Sequence, residues 1–168
     1  MPLIADLRDE AMRERHWKEL KFEVKEEFDE NGVEFTLEKI FELGLNNHGE
    51  KVSELADNAR KELKIEIQLE EIRRMWEDDP LTDLDIKQLK SKANNEEYYK
   101  IMSTENLYQV IEDHVTKLSN MKSSPYYKQF DDKIDTWENN IAQITETLEL
   151  LLAVQGKWSY LESIFRGQ

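Results

Sequence analysis

The chain has 168 residues, 39% of them hydrophobic and 36% charged, and a formal net charge of −14 at pH 7. The length suffices for one domain with a core of its own. The charge argues against a nucleic-acid backbone, which needs clustered Lys and Arg, and against an anionic membrane surface.

Cysteine is absent, which removes disulfides, thiolate metal sites and a Cys nucleophile. Pro (3) and Gly (5) are scarce, as long helices require. Met1-Pro2-Leu3-Ile4 runs at once into Asp6, Arg8, Asp9 and Glu10, unlike a signal peptide. The longest apolar run, residues 150–154, is too short to span a bilayer. A soluble intracellular protein is the default expectation.

In chain order, the pattern predicts a helix over residues 3–28, interrupted near Asp9, with Trp17, Leu20, Val24 and Phe28 on one face. Asn31-Gly32 should end it. Thr36 is placed to cap a short helix over 37–43, with Lys39 where a full capping box wants Glu. Gly44 and the Asn46-Asn47-His48-Gly49 turn follow. A long helix is expected over 50–77. Val52, Leu55, Ala59 and Leu63 line one stripe, and Ile65, Leu69, Ile72 and Trp76 a second, rotated one. Asp78-Asp79-Pro80 should break it.

Leu84-Asp85-Ile86-Lys87 then alternates in a strand period, and Tyr98 to Met102 is its natural partner, with a turn across 90–97. The competing reading continues the helix with Ile86 and Leu89 on its face. Ser103 or Thr104 caps a helix over 105–121 striped by Leu107, Ile111, His114, Leu118 and Met121. After Ser124-Pro125, one pattern runs to the end. Tyr127, Phe130, Ile134, Trp137, Ile141, Ile144, Leu148 and Leu151 alternate spacings of three and four, continued by Gln155, Trp158, Glu162 and Phe165. Leu150, Leu152, Val154, Tyr160, Leu161 and Ile164 add apolar surface off this seam, more than one neighbouring helix can cover. The fold class is therefore mostly α, an elongated multi-helix bundle with a long C-terminal heptad helix and one small β-hairpin. A single helical domain over 1–168 is expected, with N-terminal helices over 1–79, the hairpin over 84–102 and C-terminal helices over 104–168.

Catalytic and metal chemistry find little purchase. His16, His48 and His114 make no pair at helical spacing. None follows a Glu by three residues, as a di-iron bundle would need. Asp78, Asp79, Asp83 and Asp85 lack the Gly and closing Glu of an EF-hand. The glycines are scattered singly, so no phosphate loop exists. Carboxylates such as the Glu of Lys61-Glu62 read as solvated helix faces. The expectation is no catalytic residue, no cofactor and no metal. His114 and His16 read as packed histidines, His16 with a capping role beside Arg15 and Trp17. Trp17, Trp76 and Trp137 read as core anchors, and Trp158 stands between core and contact.

The ordered segments resemble dynein heavy chains, in the linker that precedes the motor ring. Leu7-Arg8 with Met12-Arg13-Glu14-Arg15-His16-Trp17-Lys18-Glu19-Leu20 is similar to the family's R-x-R-H-W-x-x-L segment. Phe35-Thr36-Leu37 through Leu43 is similar to its F-T-L stretch, and Ala59-x-Lys61-Glu62-x-x-Ile65-Glu66 through Trp76 to its next helix. Met121-Lys122-Ser123-Ser124-Pro125-Tyr126-Tyr127-Lys128-Gln129-Phe130, Trp137-Glu138, and Val154-Gln155 with Trp158, Tyr160-Leu161-Glu162 and Ile164-Phe165 follow in the family's order. The family's Gly-containing hairpin turn has no counterpart in 90–97.

The resemblance implies a lever that lies across an AAA+ ring and changes its bend as the ring hydrolyses ATP, performing no hydrolysis itself. It implies the ring and the remaining linker helices as intramolecular partners, and the dynein complex and microtubules as indirect ones. It implies a cytoplasmic or cytoskeletal location, with a ciliary or flagellar axoneme favoured because FTLEKIFELGL and KELKIE look more like axonemal chains. An excised piece is expected, whose closing stretch, with Trp158, Tyr160 and Phe165, meets later helices or the ring. The alternative is a free-standing coiled-coil adaptor or scaffold that dimerises through the 127–165 seam.

Overall fold

The computed structural model describes residues 2–78, 84–90 and 96–166. The described chain is mostly helical with one antiparallel hairpin, and it divides into two compact units, Met1–Ile67 and Gln68–Gln168.

In the first unit, α1 (Pro2–Leu7) stops where Asp9 turns the chain. The Asp9 carboxylate accepts from the Ala11 amide at 2.9 Å and from Arg60 Nε at 2.6 Å. That turn is the expected interruption. α2 (Glu14–Val24) follows, but it ends four residues before Phe28. Lys25 takes a left-handed conformation, φ 58°, ψ 33°, and its amide closes on the Lys21 carbonyl. The expected helix through residue 28 is therefore wrong in its last turn. Lys25, Glu26 and Glu27 offer nothing to bury, while Phe28 gains more by folding back. Its ring meets Trp17 edge-on at 6.3 Å and stacks on Phe35 at 5.4 Å. Thr36 caps α3 (Leu37–Glu42) as expected, its Oγ1 accepting from the Lys39 amide. Gly44, at φ 67°, makes the left-handed exit into a 3-10 turn, Leu45–His48.

α4 (Gly49–Arg73) then brings Val52, Leu55, Ala56 and Ala59 into one core with Leu7, Met12, Trp17, Leu20, Ile40 and Leu45.

The second unit holds the end of α4, a π-helical turn Arg74–Asp78, strands β1 (Asp85–Lys90) and β2 (Glu97–Ser103), α5 (Glu105–Lys122), a 3-10 turn Tyr127–Phe130, and α6 (Asp131–Arg166). The hairpin pairs Ile86 with Ile101 and Lys90 with Glu97, with an irregularity between Asp85 and Ile86. Its turn, like Asp79 and Pro80, lies outside the described residues. The helical alternative for Ile86 and Leu89 is excluded.

The α5 stripe is buried as the spacing predicts: Leu107, Ile111, His114, Leu118 and Met121. α6 packs on α5. Lys122 Nζ, at the end of α5, reaches Asp135 and Glu138 of α6, each at 2.6 Å. α6 begins later than expected, because Tyr127 and Phe130 occupy the 3-10 turn.

The seam is buried at Phe130, Ile134, Ile141 and Leu148, but not to its end. Leu151 is 51% exposed, Trp158 62% and Phe165 76%. α5 begins at Glu105, and among the described residues the seam beyond Leu148 is left largely exposed. Large-to-small changes should report the boundary. Ile141→Ala, fully buried, is expected to cost about 2–5 kcal/mol in denaturant unfolding, and Leu151→Ala about 0.5 kcal/mol or less. Equal costs would contradict it.

Candidate functional site

The expected site residues fall into three groups. Arg15, His16 and Trp17 come together in the first unit. His16 is buried on α2, and its Nδ1 accepts the Arg13 amide at 3.0 Å, which caps the helix start. With Nδ1 an acceptor, the neutral ring carries its proton on Nε2. That N–H donates to Glu62 Oε2 of α4 at 3.0 Å. Arg15 Nε donates to the same oxygen at 2.7 Å, and Arg13 Nη2 to Glu66 at 2.8 Å. Trp17 lies beneath, 8% exposed, its ring meeting Phe28 and Phe35 edge-on.

Glu62 corrects the sequence reading. It is not on a solvated face; it is 9% exposed and sits on the buried stripe between Ala59 and Ile65. A lone carboxylate three positions beyond an apolar stripe residue was the available signal. Its neighbour Lys61 is what makes it look like a member of a solvated ion-pair face.

The second group is Trp76, His114 and Trp137. Trp76, on the π turn, donates its indole N–H to His114 Nδ1 at 2.9 Å, with the rings 6.0 Å apart. His114 is buried at 5% exposure. Arg73 holds the π turn, with Nη2 on Glu70 at 2.9 Å and on Asp78 at 2.8 Å, and Nη1 on Glu77 at 3.0 Å. Trp76 and Trp137 are only half-buried. Both wall an open cleft of about 520 Å³ with Leu107, Ile144, Leu148 and Leu151. They are therefore cleft walls, not the closed-core anchors the sequence suggests.

The third group is Trp158, Tyr160 and Phe165 on the exposed end of α6, in company with Leu150, Val154 and Leu161. Gln155 stands among them, on the seam where its spacing puts it but with a partner the sequence does not reveal. Ile101 of β2 donates its amide to Gln155 Oε1, and Gln155 Nε2 donates to the Ile101 carbonyl, both at 2.9 Å.

Burial pushes both buried imidazoles below the ordinary histidine range. Glu62 opposes this at His16 and Arg15 adds to it. At His114, Lys117 adds to burial, while Asp113 and Glu71 oppose it. Among the described residues no set of three or more His, Asp or Glu is placed to hold a metal ion. No helix there is long and apolar enough to cross a membrane. The adaptor alternative needs the seam free, whereas α5 already covers its first half within this chain.

Comparison with known proteins agrees with the resemblance. The family described as "Dynein heavy chain, N-terminal region 2" matches residues 1–168. The chain is 43% identical over 168 residues to Homo sapiens dynein axonemal heavy chain 2, covering 100% of this chain and 4% of that protein. It is 41% identical over 167 residues to the dynein-1-beta heavy chain of the flagellar inner arm I1 complex of Chlamydomonas reinhardtii, covering 99% of this chain and 4% of that protein. Identity to the cytoplasmic dynein heavy chain of Caenorhabditis elegans is 28% over 165 residues, 98% of this chain and 3% of that protein. The chain thus spans only a few hundredths of the length of the relatives it matches.

A depressed histidine binds its proton more weakly folded than unfolded. Its stabilising contribution is full above the unfolded value of about 6.5 and is lost as pH falls through the lower folded value. The melting temperature should therefore fall as pH drops from about 7 to about 5. His16→Gln and His114→Gln should each flatten that slope. A flat wild-type profile across this window would contradict the two acceptor roles.

Proposed function

Because the chain belongs to the dynein heavy chain N-terminal region 2 family, we propose that it is a non-catalytic mechanical element, a linker or lever. It couples ATP-driven changes in an AAA+ ring to microtubule-based movement. The observation that carries this reading is the family match across all 168 residues. α6 supports it, because a helix of 36 residues is about 54 Å long at the α-helical rise. Its first half is stiffened by α5, as a lever that resists bending requires.

In this reading the chain is one helical piece of the linker. Arg15, His16, Trp17, Trp76, His114 and Trp137 hold its shape. Trp158, Tyr160 and Phe165 face the remaining linker helices or the ring, and the dynein complex and microtubules are reached indirectly through them. Nucleotide hydrolysis belongs to other parts of the heavy chain. The axonemal and flagellar relatives favour a ciliary or flagellar axoneme as the place of action.

The test is a full-length dynein heavy chain that carries this segment with Ile134→Ala and Ile141→Ala together. Microtubule gliding should slow severalfold while ATP turnover persists, since a softened lever wastes strokes without stopping the ring. Unchanged gliding, or ATP hydrolysis by the 168-residue chain alone, would overturn the assignment.

A further inference from the structure

Few of the described hairpin residues are buried. Of the described residues in β1 and β2, Ile101 alone is buried, at 8% exposure. Tyr98, Lys100 and Leu89 are half-buried, and the others are exposed. At that same residue, Gln155 of α6 engages both backbone groups that β2 turns away from β1.

A carboxamide is suited to this in a way other side chains are not. It carries one acceptor and one donor side by side, as a peptide group does, so it completes the strand edge as a short third strand would. A Glu at this position could accept from the amide but would set a second acceptor against the carbonyl. A Leu would leave both backbone groups unpaired. Gln155 also occupies a seam position, three residues before Trp158 and four after Leu151, where the helix pattern otherwise calls for an apolar side chain. The seam therefore changes partner along its length, from α5 up to Leu148 to the edge of β2 at Gln155.

We propose that Gln155 is a latch, whose carboxamide pins the β1–β2 hairpin to α6 at Ile101 and whose release lets the hairpin pivot as a unit while α5 and α6 stay packed. Two features make release local. Gln155 is half-buried, so water can compete for its amide. The β1–β2 ladder, with its Gln88–Glu97 and Lys90–Glu97 side-chain links, is internal to the hairpin and does not depend on the latch.

The absence of native cysteine allows the motion to be read by a spin-label pair in the whole 168-residue chain. Lys87→Cys on β1 and Glu146→Cys on α6, both exposed, report the hairpin-to-helix distance. The expected result is one narrow distance distribution in the otherwise native chain and a broad one with Gln155→Leu, with Gln155→Glu between them. In the same Gln155→Leu chain, hydrogen exchange at the Ile101 amide should speed up about tenfold or more. The Ile111 and Ile141 amides should keep their protection, which separates release of the hairpin from loss of the fold. Equal widths in the native and Gln155→Leu chains, or a broad distribution already in the native chain, would overturn the latch. So would loss of protection at Ile111 and Ile141 together with Ile101, because the contact would then be part of the common core.

Discussion

A polar side chain placed on the apolar stripe of a helix must find a hydrogen-bonding partner inside the structure, because water is no longer there to serve it. This constraint shapes both units. His16, Glu62, His114 and Gln155 each point inward from a helix, and each is met by specific neighbours. Apolar stripes tolerate sliding by a turn, since one Leu resembles the next. A carboxylate that must meet Arg15 and His16 at once does not tolerate it. Among the described residues every buried side-chain nitrogen and oxygen has a partner, so these exceptions to the stripes define register without leaving a desolvated orphan.

The consequences differ between the two units. In the first, the polar cluster joins α2 to α4, and charge is involved: Glu62 receives both Arg15 and His16, while Arg60 reaches Asp6 and Asp9. In the second, the buried polar members are joined by neutral links, an indole to an imidazole and a carboxamide to a peptide group, and charge enters at the partly exposed Lys122 pairs between α5 and α6. Charged pairs with exposed members contribute little individually. The buried Glu62 is another matter, because its removal would strand a buried imidazole N–H. In the proposed lever, such fixed cross-links would matter more than total stability, since they resist shear between packed helices.

The helical elements were legible because their signals are local. The α5 stripe reads directly as its buried face, and Thr36, Gly44 and the alternation around Ile86 mark their elements correctly. What escaped depended on tertiary competition. Val24 and Phe28 fit one helical face, yet the chain leaves the helix at Lys25 because Phe28 and Phe35 pack around Trp17. The α6 seam is periodic to Phe165, but periodicity describes a face and not its occupant, so the exposure beyond Leu148 could not be read from it. Glu62 and Gln155 were present in the pattern as its polar members. A polar residue inside a stripe is a request for a partner, and its identity is set by a distant segment, 46 residues away for the His16–Glu62 contact and 54 for the Ile101–Gln155 contact.

The histidine tautomers test this account most directly, since both depend on the partner and not on burial alone. Nitrogen-15 spectra of the chain at neutral pH should show His16 and His114 neutral, each with a bare Nδ1 that accepts a hydrogen bond and a proton on Nε2. A proton on Nδ1 of either ring, or a charged imidazolium at that pH, would contradict the arrangement from which the rest is built.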